Sequence, residues 1–164
     1  MLKTNDIAPQ DYRNAMARFA GAVHVVTTDG PAGRRGVTAI AACSVSDNPP
    51  MVLVCLNREN VNNDVFLDNG VFALNTLTAN HQSLSTAFSG LNGLPPDERF
   101  ALAQWDTLSS GAPTLVDALA VFDCQVIDTK ELATHRIYFG KVTGLRLGDN
   151  LQPLLYFDRG YRVL

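Results

Sequence analysis

Short runs of β-branched and apolar residues recur along this chain, and each run is bounded by residues that favour turns. Residues 23–28 are mostly valine and threonine, and the turn-forming segment 29–33 follows them. A second run covers 35–46 and stops at segment 47–50, which contains two prolines, and a third covers 51–56. Because the connections between these runs are short, we expect three successive strands that pair antiparallel.

The rest of the chain continues this pattern with a few short helices. Residues 8–20 have apolar side chains at helical spacing. Asn60 is a suitable N-cap for a short helix that ends at 69–70. Seven or more strands predict a mainly β domain over 1–164, an antiparallel barrel with 1–10 as an N-terminal arm. Further strands are predicted over 71–77, 119–127, 137–147, 154–157 and 161–164, and further helices over 81–89 and 96–103.

The composition narrows the class of protein. Hydrophobic residues make up 46% and charged residues 18%, which is typical of a globular protein. The formal net charge is −3 and no basic block occurs, so neither nucleic acid nor an anionic membrane is an expected partner. Residues 1–6 lack the apolar run of a signal peptide, and runs such as 51–56 are too short to cross a bilayer. We therefore expect a cytoplasmic protein.

Several common kinds of site are not indicated. The widely spaced Cys43, Cys55 and Cys124 lie in apolar segments, so we expect three buried thiols rather than disulfides. No GxSxG elbow, Walker A loop or GxGxxG fingerprint occurs. No metal site is predicted, because the three histidines are far apart and lack ligand-spaced neighbours: His24, His81 and His135.

Two segments are suited to a ligand. Small and hydroxylic residues fill 35–46, among them Thr38 and Ala39, and would let a flat ring approach the backbone. The alternative is that these residues are small only because the strand packs beside bulky side chains of a barrel. Segment 56–63 concentrates amides and Arg58 where a strand leads into a helix, which favours an anion such as phosphate. The alternative is that Asn60 is only a helix cap. His135, taken alone, would be a capping or surface residue.

An ordered set of motifs runs from about residue 12 to residue 164. They are Phe19-Ala20-Gly21-Ala22-Val23, Val25-Val26-Thr27-Thr28, Gly36-Val37-Thr38-Ala39, Cys43-Ser44-Val45-Ser46 before Pro49-Pro50, Leu56-Asn57-Arg58, Phe72-Ala73-Leu74-Asn75, Arg99-Phe100, Thr134-His135 and Arg159-Gly160-Tyr161. This set resembles the two-component flavin reductases of the split-barrel FMN-binding fold. Within that family it is similar to the reductase components of pyrimidine utilisation and of 4-hydroxyphenylacetate hydroxylation.

The resemblance implies a Greek-key split β-barrel, a homodimer with flavin near the subunit interface, and hydride transfer from NADH to FMN. NADPH and FAD are alternative cofactors, and the reduced flavin would diffuse to a flavin-dependent monooxygenase. No obligatory acid or base is implied. The expected flavin contacts are Thr38, Ala39, Ser44, Val45, Ser46, Asn57, Arg58, Asn62, Asn63, Arg99 and Phe100. The expected nicotinamide contacts are His135, Arg159 and Tyr161.

The chain departs from the family pattern at two places. Next to the expected nicotinamide contact His135, Ala133-Thr134 stands where relatives often have Gly-Asp. In the expected phosphate segment, Asn60 stands where they often have Ser. Two other functions fit the same fold. One is a non-catalytic FMN-binding electron-transfer flavoprotein, and the other is an oxidase of the pyridoxamine-phosphate type, which would be expected to have a more basic phosphate pocket.

Overall fold

The computed structural model describes residues 6–164, and the mainly β prediction is confirmed. The expectation about a signal peptide, and half of the predicted N-terminal arm, fall outside this range. The twelve strands in the described part are β1 Gly21–Ala22, β2 His24–Thr28, β3 Arg35–Ala39, β4 Ala42–Asp47, β5 Pro50–Asn57, β6 Val71–Thr76, β7 Trp105–Thr107, β8 Pro113–Leu115, β9 Ala120–Leu132, β10 His135–Leu147, β11 Leu154–Phe157 and β12 Gly160–Val163. The α-helices are α1 Pro9–Met16, α2 Asp64–Asn69, α3 Gln82–Phe88 and α4 Pro96–Phe100.

Seven strands form one antiparallel sheet in the order β3-β2-β6-β9-β10-β5-β4. The prediction of one continuous strand over 35–46 is wrong, because its two halves pair with different partners. β3 pairs with β2 and β4 pairs with β5, so they form the two opposite edges of the sheet. Only Ile40 and Ala41 join them, and three Cα–Cα steps span at most about 11 Å. The sheet therefore curves until its edges approach each other at this link.

The β9–β10 hairpin extends well beyond the predicted strands. Each strand has 13 residues, and register shifts follow Phe139 and Val142. Gly140 allows β10 to pass close to the core, since a Cβ there would lie 2.5 Å from the ring of Phe72. The far end of the hairpin brings His135 opposite Asn57 of β5.

The smaller elements confirm most of the predicted turns. Asn60 caps a 3-10 helix, Val61–Asn63, by accepting from the amide of Asn62 over 3.2 Å. α2 ends at Gly70, whose φ of 66° is readily adopted by glycine. α1 is shorter than the predicted helix over 8–20. The two-stranded sheet of β7 and β8, and the two-residue β1, were not predicted because each run is too short to show a period.

The core consists of two clusters of buried side chains. One contains Phe66, Phe72 and Tyr138, and the other contains Phe88 and Phe100, whose rings meet edge-on at 5.0 Å. Large buried aromatic side chains of this kind contribute roughly 3 kcal/mol or more each to folding. Within residues 6–164 no helix is both long and apolar enough to cross a membrane.

The prediction of three buried thiols holds only for Cys124. Burial raises the pKa of Cys124 to about 12, so its thiol stays protonated. Cys55 is half-buried, and burial together with Cys43 raises its pKa. Cys43 is exposed because it lies on β4, an edge strand whose burial pattern is mostly exposed.

Candidate functional site

A cavity of about 870 Å³ lies where β3, the end of β5, α3 and α4 meet. Its volume is within the range of roughly 300–1,000 Å³ that is usual for small-molecule sites. The sequence-predicted residues that it brings together are Thr38, Ala39, Asn57, Asn62, Asn63, Arg99, His135 and Tyr161.

Two arginines, Arg35 and Arg99, line one end of the cavity. Arg35 donates from Nε to Oδ1 of Asn63 over 2.7 Å, and Arg99 donates from Nε to the carbonyl of Leu94 over 2.7 Å. Neither forms an ion pair within residues 6–164, whereas the neighbouring Arg34 pairs with Asp97. Burial and the charge of Arg99 lower the pKa of Arg35. Two cations that line the same cavity, one of them partly desolvated, favour an anion bound there.

The asparagine-rich bend forms the adjoining wall. Asn63 is buried and donates from Nδ2 to the carbonyl of Asn57 over 2.7 Å. The side-chain oxygen of Asn57 accepts from the amide of Glu59 over 2.8 Å. These bonds fix the loop between β5 and the 3-10 helix, and Asn60 and Asn62 also line the cavity. The amides therefore order the bend and hold Asn63 against Arg35.

Small side chains and two tyrosines border the other end. The segment from Thr38 to Ala41 forms one side. Thr38 donates from Oγ1 to the carbonyl of Ser85 over 2.6 Å, and the Ser85 hydroxyl bonds to that of Tyr161 over 2.8 Å. Tyr161 meets Tyr156 edge-on, with ring centroids 5.5 Å apart. This end suits a flat ring.

His135 is exposed and borders the same cavity from the start of β10. Its Nδ1 lies 2.8 Å from Oγ1 of Thr134, and the carbonyl of Thr134 accepts from the amide of Arg58 over 3.0 Å. The other ring nitrogen, Nε2, can therefore donate or accept one further hydrogen bond.

Six predicted site residues lie outside this cavity, and their contact with a ligand stays a prediction. Phe100 is buried in the core, where Arg34 stacks on its ring, and Arg58 pairs with Glu131 over 3.0 Å. Arg159 bonds instead to Asn14 over 2.6 Å. The remaining three are on the edge strand β4, and they are Ser44, Val45 and Ser46.

The Arg58–Glu131 pair belongs to a larger network at the hairpin end. Arg136 pairs with both Glu131 and Asp64, the latter over 2.8 Å. Hydrogen bonds to Tyr138, Glu131 and Asp64 raise the pKa of Arg136. The hydrogen bond from Arg136 and the positive charge of Arg58 lower the pKa of Glu131. The charge of Arg58 is therefore already balanced by protein.

Sequence reasoning missed Arg35 and Ser85. Arg35 could have been predicted, because it is a positive charge at the start of the small-residue segment 35–46. Nothing in the sequence distinguishes Ser85 from Ser83 or Ser89. In the described part of the chain, no cluster of three or more potential metal ligands occurs.

A second, apolar groove of about 780 Å³ adjoins the cavity. The two share Ile40, Ala41, Cys55 and Tyr156. Met16 and Phe19 border the groove and are 44% and 71% exposed. An exposed apolar groove on a globular protein often marks an interface.

Comparison with known sequences identifies the family. A profile of the flavin reductase like domain matches residues 16–164. The chain belongs to the flavin reductase family. One relative of this flavin reductase is the protein named FMN reductase (NADH) RutF from Ancylobacter novellus, which is 48% identical over 162 residues, 99% of this chain and 88% of that protein.

Solved structures agree with this assignment. The flavin reductase PheA2 superposes with a TM-score of 0.87 and is 33% identical, covering 96% of this chain and 99% of that one. The styrene monooxygenase flavin reductase SMOB from Pseudomonas putida superposes with a TM-score of 0.80 at 27% identity, covering 94% and 97%. This flavin reductase therefore shares the fold of both over nearly its whole length.

Proposed function

We propose that this protein is an NADH-dependent FMN reductase, which transfers a hydride from NADH to FMN and releases reduced flavin for a partner enzyme. One cavity carries the proposal. At one end it has two arginines that form no ion pair within residues 6–164, and at the other it has a wall of small residues. The 48% identity to the FMN reductase (NADH) of A. novellus supports it. NADPH and FAD are alternative cofactors.

The cavity fits a phosphorylated flat ring. Arg35 and Thr38 are three residues apart on β3, which is about 10 Å along an extended strand. This separation is comparable to the length of a ribityl phosphate chain. A phosphate between Arg35 and Arg99 would therefore leave the ring beside Thr38 and Ala39.

Each residue of the cavity then has a defined task. Arg35, Arg99 and the asparagines that line the cavity bind the phosphate by charge-assisted hydrogen bonds. Thr38 and Ala39 contact the ring. The bound flavin and nicotinamide themselves supply the hydride chemistry. His135 and Tyr161 orient the nicotinamide, and correct orientation of two reactants accounts for much of the rate enhancement in such a reaction.

We also propose that residues 1–164 form one domain, a Greek-key split barrel that functions as a homodimer. The two-residue link between opposite sheet edges supports the barrel. The exposed side chains of Met16, Phe19 and Ile40 around the apolar groove support a second copy as its occupant. Because the groove shares a wall with the cavity, the flavin would lie close to the interface. Use of NADH is consistent with a location in the cytoplasm.

A flavin-dependent monooxygenase is the proposed acceptor of reduced flavin. The similarity to the reductase of styrene monooxygenase supports this class of partner. Reduced flavin would reach it by diffusion.

The proposal is tested by mixing the purified protein with FMN and NADH and following NADH oxidation together with loss of oxidised flavin without oxygen. Catalytic turnover in which free FMN is reduced is the expected result. A yellow protein that reacts with neither NADH nor NADPH would instead identify a non-catalytic flavin carrier. Absence of flavin binding would contradict both functions.

A further inference from the structure

Ser85 connects two walls of the cavity. It lies on α3 and is fully buried. Its carbonyl accepts hydrogen bonds from Oγ1 of Thr38 over 2.6 Å and from the amide of Ser89 over 3.0 Å. Its hydroxyl bonds to the Tyr161 hydroxyl over 2.8 Å. The backbone of Ser85 thus contacts the β3 wall, and its side chain contacts β12.

We propose that Ser85 is a positioning residue for the nicotinamide: its hydroxyl holds the Tyr161 ring in place and thereby sets the space beside the flavin. This inference rests on the proposed function, because it takes Tyr161 to contact the nicotinamide where that ring stacks on the flavin. Ser85 itself touches neither reacting atom.

Tyr161 needs such an anchor because of its place in the fold. β12 is an edge strand of the sheet β1-β11-β12, so it has a strand neighbour on one side only. The turn before it contains Asp158 and Arg159, both with positive φ. Tyr161 is partly exposed, and its ring packs edge-on against Tyr156. The bond to Ser85 is the side-chain hydrogen bond that ties its hydroxyl to α3.

The two functions of Ser85 can be separated. Replacing Ser85 with alanine removes the hydroxyl but keeps the carbonyl, so the bond from Thr38 is preserved. The proposed phosphate end, at Arg35, lies about 10 Å from Thr38 along β3. The loss should therefore affect nicotinamide use and leave flavin binding unchanged. A merely structural role would affect both.

The test compares Ser85→Ala, Tyr161→Phe and the double variant. A hydrogen bond contributes about 0.5–1.5 kcal/mol, so each single variant should lower kcat/KM for NADH by about 2- to 13-fold. Each should keep its FMN dissociation constant within about twofold of that of the unmodified protein. The double variant should be no worse than the poorer single variant, since both changes remove the same bond.

Thr86→Ala is the matched control. Thr86 is the next residue of α3, and its hydroxyl donates to the carbonyl of Gln82 on the exposed side of the helix. It should leave kcat/KM unchanged. If Ser85→Ala does not fold, Tyr161→Phe still tests the prediction, because Tyr161 is only partly buried.

Four results would overturn the inference. They are an unchanged kcat/KM in a folded Ser85→Ala, an unchanged kcat/KM in Tyr161→Phe, multiplicative losses in the double variant, and an equal loss of FMN affinity. A wild-type protein that binds FMN but does not oxidise NADH would instead contradict the proposed function, and the inference with it.

Discussion

Arg35 donates from Nε to Oδ1 of Asn63 over 2.7 Å, and this bond joins the small-residue strand to the asparagine-rich bend. It leaves the terminal nitrogens of Arg35 without a partner in the described chain. Arg35 and Arg99 both line the cavity, and neither forms an ion pair within residues 6–164, so this end of the cavity is positively charged. Burial, together with the charge of Arg99, lowers the pKa of Arg35. We regard it as the phosphate site for FMN.

Arg35→Gln should weaken FMN binding by about 10- to 160-fold, since a hydrogen bond to a charged group contributes about 1.5–3 kcal/mol. Riboflavin, which lacks the phosphate, should bind the variant nearly as well as it binds the wild type. Titration of both flavins measures this difference. Arg146→Gln is the control, because Arg146 pairs with Asp106 away from the cavity. An equal loss for riboflavin would place the phosphate elsewhere.

Arg58→Ala should change FMN affinity by less than about fivefold, because Arg58 does not line the cavity and its charge is balanced by Glu131. The lost ion pair is exposed and contributes only about 1 kcal/mol or less to stability. The same titration tests this prediction. A loss as large as that predicted for Arg35→Gln would show that Arg58 leaves Glu131 to bind the phosphate.

Ala41→Phe should reduce affinity for FMN and riboflavin alike by about fivefold or more, because overfilling a packed contact costs about 1–3 kcal/mol. Ala41 is exposed on the link between β3 and β4, so thermal stability should change little. Ala101→Leu, also at an exposed position, should leave both affinities intact. Unchanged flavin affinity in Ala41→Phe would mean that the ring does not lie on this wall.

Lowering the pH should destabilise the protein through His24. Burial lowers the pKa of His24 from 6.5 to about 4, so the unfolded chain binds a proton that the folded chain excludes between these values. Stability is therefore lost as the pH falls through this window, by about 2 kcal/mol between about pH 7 and about pH 5. Urea denaturation at both values measures the loss.

His24→Gln should show a correspondingly smaller loss, whereas His135→Gln, at an exposed position, should behave like the wild type. Parallel losses in wild type and His24→Gln would assign the pH dependence to other groups.

Most of the fold was predictable because its signals are local. Asn60 and Gly70 bound the short helical segment as expected from their side-chain and backbone chemistry. The break between β3 and β4 was not predictable, because 35–46 reads as one uninterrupted run and only the pairing with β2 and β5 divides it. The exposure of Cys43 has the same cause, since an edge strand is defined by the partner it lacks.

The candidate site was predictable where one segment supplies several contacts. Thr38, Ala39 and the asparagines belong to such segments and line one cavity. The sequence favours Arg58 as a phosphate contact because it is a positive charge beside the bend. Its ion pair with Glu131 was not predictable, because Glu131 is 73 residues away and its position depends on the β9–β10 hairpin. Arg35 shows the opposite case, because only the three-dimensional structure shows that it forms no ion pair within the described residues.

A crystal structure of the complex with FMN tests the central claim most directly. We predict that the phosphate lies within hydrogen-bonding distance of Arg35 and Arg99, with the tricyclic ring against Thr38 to Ala41 and one ring face open towards His135 and Tyr161. A phosphate bound away from both arginines, or a ring outside this cavity, would contradict the account.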